Sequence, residues 1–177
     1  MRRAALIIAL ALCAIGCGTK PENIVRSGQA ACPGDTPELK ANEVIGPVSR
    51  RFEVLPPDRP KPIERFMGEI KRAMGPGYRS HDARVIYRRG AMEGTVVVVL
   101  NIADGRPQEF VAGFEEGERE EGVQGEPLEI DGQEGRLAPS EDSFVATAPS
   151  GDCSVVILIA VDKTKLKEAA GLIGARS

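Results

Sequence analysis

Apolar positions recur along the chain with two different periods. IERFMGEIKRAM, residues 63–74, places Ile63, Phe66, Met67, Ile70 and Met74 at steps of i, i+3, i+4, i+7 and i+11. That single stripe predicts an amphipathic helix buried along one side. A proline precedes it, as suits a helix start, and Gly75-Pro76-Gly77 stops it. A second stripe, Leu166, Ala169, Ala170 and Ile173, predicts a closing helix over 163–175, with Asp162 as its N-cap.

Between the two helices the period shortens. ARVIYRR (83–89) and TVVVVLNIA (95–103) flank a GAMEG turn and read as a hairpin, whereas Asp104-Gly105 marks the following turn. The run at 95–103 is apolar without interruption, so it belongs in the middle of a sheet covered on both faces. QEFVAGFEE (108–116) alternates Phe110, Ala112 and Phe114 and reads as a strand face. PLEI and QEGRLA are joined by Asp131-Gly132, the dipeptide a type I′ turn prefers. SFVATAP (143–149) and the buried run DCSVVILIAVD (152–162) flank Ser150-Gly151. VSRRFEV (48–54) alternates weakly, and LPPDRPKP (55–62), with four prolines, reads as a stiff connector. No period of 20–50 residues repeats. The expected fold class is α+β: a largely antiparallel sheet with two amphipathic helices packed on one face.

The first residues follow another pattern. Arg2 and Arg3 precede a dozen apolar residues, Ala4 to Ile15, broken only by Cys13. That length suits a secretory signal and is short of the ~20 residues a spanning helix needs. Ala14-Ile15-Gly16-Cys17 follows. This resembles the lipobox of bacterial lipoproteins, with Ala14 where leucine is usual. The resemblance covers about 20 residues. It implies diacylglyceryl transfer to Cys17, cleavage before it and fatty acylation (palmitate or similar) of the new N-terminus. Gly18 after Cys17 resembles the signal for outer-membrane sorting in a host with two membranes. The organisation read from the chain is a signal peptide over 1–16, a tether and irregular arm over 17–47, and one α+β domain over 48–177.

The other cysteines follow from that processing. The chain has four. Cys13 leaves with the leader and Cys17 carries lipid, so Cys32 and Cys153 remain for a disulfide in an oxidising compartment. The pair lacks a third soft ligand nearby, which argues against a metal site.

Charge is uneven. Residues 18–107 carry 15 Lys/Arg against 11 Asp/Glu, and residues 108–177 carry 6 against 15, within a total of −3. That balance excludes nucleic-acid binding through a basic footprint. Two charged groups form a candidate interaction face. Arg84, Arg88 and Arg89, with Arg79, Tyr78 and Tyr87, make a basic, aromatic stretch suited to lipid headgroups or an acidic partner. Glu115, Glu116, Glu118, Glu120 and Glu121 make an acidic run expected at a hairpin end, where it can pair with the arginines.

Catalytic chemistry finds little support. The single histidine, His81, stands in Arg79-Ser80-His81-Asp82 between a helix and a strand, as an exposed loop residue. Neighbours in sequence do not make a triad, whose members converge from different segments. Neither GxGxxG nor GxxxxGK[ST] occurs, so no nucleotide cofactor is indicated, and the acidic run does not match an EF-hand. The chain therefore reads as a lipid-anchored, extracytoplasmic, non-catalytic binding or scaffolding module of the bacterial cell envelope. It has no metal or cofactor, and its partners are a membrane and another envelope protein. The alternatives are a small apolar-ligand (lipid) carrier or an envelope hydrolase using carboxylates or His81.

Overall fold

The structure is a computed structural model that describes Cys32 and residues 35–58, 60–103 and 107–174. The signal segment, Cys13, Cys17 and the Asp104-Gly105 turn lie outside the described residues. In order the elements are α1 (Ala41–Val44), β1 (Phe52–Leu55), α2 (Pro60–Met74), a 3₁₀ turn (Gly75–Gly77), β2 (Tyr78–Arg88) and β3 (Thr95–Ile102). They continue with α3 (Pro107–Glu120), β4 (Glu126–Ile130), β5 (Gln133–Ser140), β6 (Ser143–Ser150), β7 (Ser154–Ala160) and α4 (Lys163–Ala170). The fold is α+β, as the sequence pattern indicates.

The strands form one seven-stranded antiparallel sheet in the order β1-β2-β3-β7-β6-β5-β4. β1 and β2 build inward from one edge and the β4–β7 meander builds inward from the other. They meet where Val96–Asn101 of β3 lies along Ser154–Ile159 of β7. Every apolar residue of that ladder except Val96 and Ile159 is fully buried. Two strands apolar on both faces require a layer above and a layer below.

Those layers account for the first departure from the expectation: helices cover both faces, not one. On one face α1 and α4 pack Ala41, Val44, Leu166 and Ala169 against Val97, Val99, Val156 and Leu158. On the other, α2 and α3 pack Met67, Ile70, Phe110 and Phe114 against Val98, Leu100, Val155 and Ile157. Residues 108–116 correspondingly belong to helix α3. Its buried positions are Phe110, Gly113, Phe114, Gly117 and Glu118, an i, i+3, i+4, i+7, i+8 stripe, and Ala112 is exposed. Two phenylalanines four apart fit both periods. Here the helix wins because it covers β5, β6 and β7, and its two glycines let it approach the sheet closely.

The second departure concerns the arm. Residues 39–46, expected to be irregular tether, belong to the domain. Ala41, Val44 and Ile45 are buried, and Ile45 bridges Ile173 near the end of the chain. Gly46 N–H donates to Leu172 O and Gly174 N–H to Val44 O, both at 2.8 Å. Asn101, 3% exposed on β3, holds the arm from inside. Its Oδ1 accepts from Leu39 N–H (3.0 Å) and Ser154 Oγ (2.8 Å), and its Nδ2 donates to Leu39 O and Ser80 Oγ (both 3.1 Å). All four hydrogen bonds open to an amide are made. Cys32 and Cys153 are disulfide-bonded, 121 residues apart in sequence, with Cα atoms 5.8 Å apart.

The local turn and cap signals hold. Asp131 and Gly132 both have positive φ, 55° and 68°, as a type I′ turn requires. Asp162 caps α4, accepting from Lys165 N–H at 3.0 Å. α4 ends at Ala170, short of the 163–175 expected, and α2 begins at Pro60, inside the expected proline connector. Proline is at home in the first helical turn, where its missing N–H has no partner to lose.

Replacing both Cys32 and Cys153 with serine is expected to lower stability by about 2–5 kcal/mol, read from urea unfolding. Asn101→Ala is expected to cost about 2–3 kcal/mol, since it strands Leu39 N–H and Ser154 Oγ. In hydrogen exchange, either change should expose the 39–46 amides while those of β3 and β7 stay protected. Equal loss of protection in both regions would show that the arm is not a separable unit.

Candidate functional site

Three polar clusters stand out from the apolar framework, and the tertiary structure assigns them differently from the sequence pattern.

The first surrounds His81. Far from being an exposed loop residue, it lies within strand β2, partly buried against α2. The reason is that β2 begins at Tyr78, directly after the 3₁₀ turn, with a bulge between Tyr78 and Ser80. His81 Nδ1 lies 2.6 Å from Tyr78 Oη, and Lys71 of α2 sits 5.4 Å from the centre of the Tyr78 ring. Burial lowers the His81 pKa, opposed by the carboxylates of Asp82 and Glu64. Burial also raises the Tyr78 pKa, keeping the phenol protonated. Strand alternation sends Ser80 and Asp82 to the opposite face, where Ser80 bonds Asn101 and Asp82 receives Ala41 N–H (2.9 Å) and Arg84 Nη1 (3.1 Å). Ser80, His81 and Asp82 therefore do not converge.

The second cluster lies under α3. Glu118, 1% exposed, places Oε2 3.4 Å from Arg136 Nε of β5. A Cβ at Gly125 would overlap this carboxylate, so a side chain there would displace Glu118 from its position. Burial raises the Glu118 pKa, with Arg136 pulling the other way. The remainder of the acidic run belongs to the α3 surface and the residue after it, not a hairpin end. Glu115 meets Arg119 (3.8 Å) and Arg136 (3.9 Å), and Glu116, Glu120 and Glu121 are exposed.

The third cluster is cationic. Arg84 turns inward to Asp82, and Arg79 pairs with Glu38 at 3.3 Å. Arg88 and Arg89 instead join Arg50 and Arg51. Phe52 is paired with Arg88 across the β1–β2 ladder, and Arg89 N–H donates to Arg51 O at 2.8 Å. All four arginines are exposed, and none makes an ion pair with a described residue. Beside them Met92, at the tip of the β2–β3 hairpin, is 98% exposed. Nearby Glu93 is occupied by Lys165 at 3.3 Å.

The expected face combining these arginines with the α3 glutamates does not form. Arg84 and Arg88 share a face with Ile86, on the α1/α4 side, whereas α3 covers the other face, over β5, β6 and β7. What the sequence reading missed is Arg50, Arg51 and Met92. The available signal was a pair of Arg-Arg doublets, 50–51 and 88–89, whose strands pair antiparallel.

A cleft beside this cluster, lined by Phe52, Ile86, Arg88, Thr95, Lys165 and Ala169, has a volume of about 20 Å³, room for little more than one water. Among the described residues no group of three or more His, Cys, Asp or Glu side chains is placed to hold a metal ion, and no helix is long and apolar enough to cross a membrane. No protein-family model, curated protein or solved structure matches the chain.

The buried Glu118 generates a pH test. A carboxyl whose folded pKa lies above its unfolded value binds protons more tightly when folded. Its ionised form therefore costs stability at neutral pH, and that cost fades as pH falls through the folded pKa towards about 4.5. Unfolding free energies of wild type and Glu118→Gln, measured from about pH 7 to 4.5, should differ by an amount that shifts in favour of wild type on acidification. A pH-independent difference would show that Glu118 does not titrate in this window.

Proposed function

We propose that this protein is a lipid-anchored, non-catalytic binding module on the extracytoplasmic side of a bacterial membrane. The observation that carries the reading is the division of labour among the cysteines. Cys32 and Cys153 are joined to each other. That leaves Cys17 as the cysteine of Ala14-Ile15-Gly16-Cys17, behind a positive start and an apolar run of signal-peptide length. A disulfide across 121 residues also suits an exported chain better than one kept in a reducing cytosol. Acyl chains on Cys17 would hold the domain durably, each buried CH₂ contributing about 0.8 kcal/mol.

A binding role is supported by how the reactive side chains are employed. His81 Nδ1 meets Tyr78, Ser80 meets Asn101, Asp82 meets Ala41 and Arg84, and Glu118 meets Arg136. The Ser80, Glu118 and Asp82–Ala41 contacts tie one element to another, whereas the His81–Tyr78 and Asp82–Arg84 contacts lie within β2. The four surface arginines and Met92 face outward together, with no ion pair to a described residue among the arginines.

Intact mass spectrometry of the protein extracted from its native membranes tests the anchor. The expected species begins at Cys17, carries diacylglyceryl and acyl mass, and gains two hydrogens on reduction. A chain with an unmodified N-terminus, or with an uncut leader, overturns the anchor.

A further inference from the structure

We propose that the Arg50, Arg51, Arg88 and Arg89 cluster, with Met92 at its tip, is a membrane-contacting surface that docks on anionic lipid headgroups. The inference rests on the envelope reading for its setting, and its geometry stands independently.

Two separate Arg-Arg doublets are brought together by the β1–β2 pairing, and the backbone bond from Arg89 to Arg51 fixes them side by side. Four guanidinium groups sharing one exposed end of the sheet repel one another. Several other cations of the domain are matched by carboxylates: Arg79 with Glu38, Arg84 with Asp82, Arg136 with Glu118, Lys163 and Lys167 with Glu126. The nearest acidic groups do not neutralise the cluster. Glu93 is held by Lys165, and Glu53, which shares the face of Arg51 and Arg89, makes no ion pair with either. Glu168 lines the cleft with Arg88 but makes no ion pair with it. An anionic surface would supply the missing counter-charge, and arginine forks suit phosphate oxygens.

Met92 favours lipid over an acidic protein as the occupant. It is the most exposed large apolar side chain of the described residues, at 98%, and it projects from a hairpin tip among the arginines. An exposed apolar tip on the hairpin that carries Arg88 and Arg89 matches the boundary between headgroups and acyl chains. Reach allows it. The 15 residue steps from Cys17 to Cys32 extend at most about 50 Å. The hairpin tip lies about 30 Å from Cys153, judged from the length of β7 and the turn. Anchor and tip can thus contact one membrane together, the acyl chains and the basic patch acting as two signals.

The chain has no tryptophan, so Met92→Trp installs a unique reporter in an exposed turn. The full-length variant is mixed with phosphatidylcholine vesicles and with vesicles that also contain phosphatidylglycerol. The leader is common to both mixtures, but its Arg2 and Arg3 also attract anionic lipid, so the tip's share is the part of the emission difference that is lost in the Arg51→Glu, Arg89→Glu variant. The expected result is a blue shift, and quenching by brominated acyl chains, with the anionic vesicles only, both weakening as salt is added. Adding Arg51→Glu and Arg89→Glu should reduce partitioning to anionic vesicles by tenfold or more, roughly fivefold per arginine, whereas Arg→Lys at both positions should retain most of it. Identical emission in the two vesicle types overturns the proposal. So does a shift produced by polyglutamate and not by the anionic vesicles, which would assign the patch to an acidic protein. Neither outcome bears on the mass of the Cys17 anchor, so failure of the patch and failure of the anchor remain distinguishable.

Discussion

Strands β3 and β7 share a ladder whose side chains are almost all aliphatic on both faces, and such a ladder has to be kept from water on both sides. The rest of the molecule satisfies that requirement. α2 and α3 cover one face, α4 and the short α1 cover the other, and the outer strands extend the sheet far enough to seat them. Each fully buried Val, Ile or Leu of the two strands contributes about 1.5–3 kcal/mol relative to exposure. The helices have little independent reason to form, α1 being a single turn. They are stable because the sheet supplies an apolar floor.

The edges of this sheet are protected in the usual physical ways. β1 is four residues long, and β4 contains Pro127 between Glu126 and Glu129. Short strands, prolines and charges all discourage pairing with a second sheet. The open part of β2 carries a bulge and the charged residues Arg79, Asp82 and Arg84, whose side chains turn to partners within the domain. The two ends of the sheet are built differently. At one end the disulfide fixes Cys32, through which the proposed tether enters. At the other stands the hairpin with Met92 and the arginine doublets.

Electrostatics divides the same way. Several charges of the domain join elements: Glu126 ties β4 to α4 through Lys163 and Lys167, and Glu38 ties the arm to β2 through Arg79. Glu118 and Arg136 join α3 to β5 at greater expense, since an ionised carboxyl there forgoes its hydration. The exposed Glu126 and Glu38 pairs are screened by solvent and add little stability, so their value lies in registering elements. Against that background four arginines brought together without a carboxylate partner stand apart, and the proposed lipid contact rests on them.

Much of the fold was legible in the residues. The continuous apolar runs at 95–103 and 154–160 could only be central strands, the 63–74 stripe could only be a buried helix face, and Asp131-Gly132 could only be a tight turn. Each is a local property, carried by a period or by backbone torsions within a few residues. The Cys32–Cys153 pair was also within reach, by counting cysteines. Other features were not. Phe110 and Phe114 suit a strand or a helix equally, and only the uncovered face of β5, β6 and β7 chose the helix. Ala41, Val44 and Ile45 make too short a stripe to read, and only Asn101 and Ile173, some 60 and 130 residues away, draw them into the core. His81 became a strand residue because β2 starts directly after the 3₁₀ turn. The arginines were visible as doublets, yet which of them would be matched by a carboxylate depended on strand register. Periodicity is written in neighbouring residues; charge pairing and burial are decided between residues that only the completed sheet brings together.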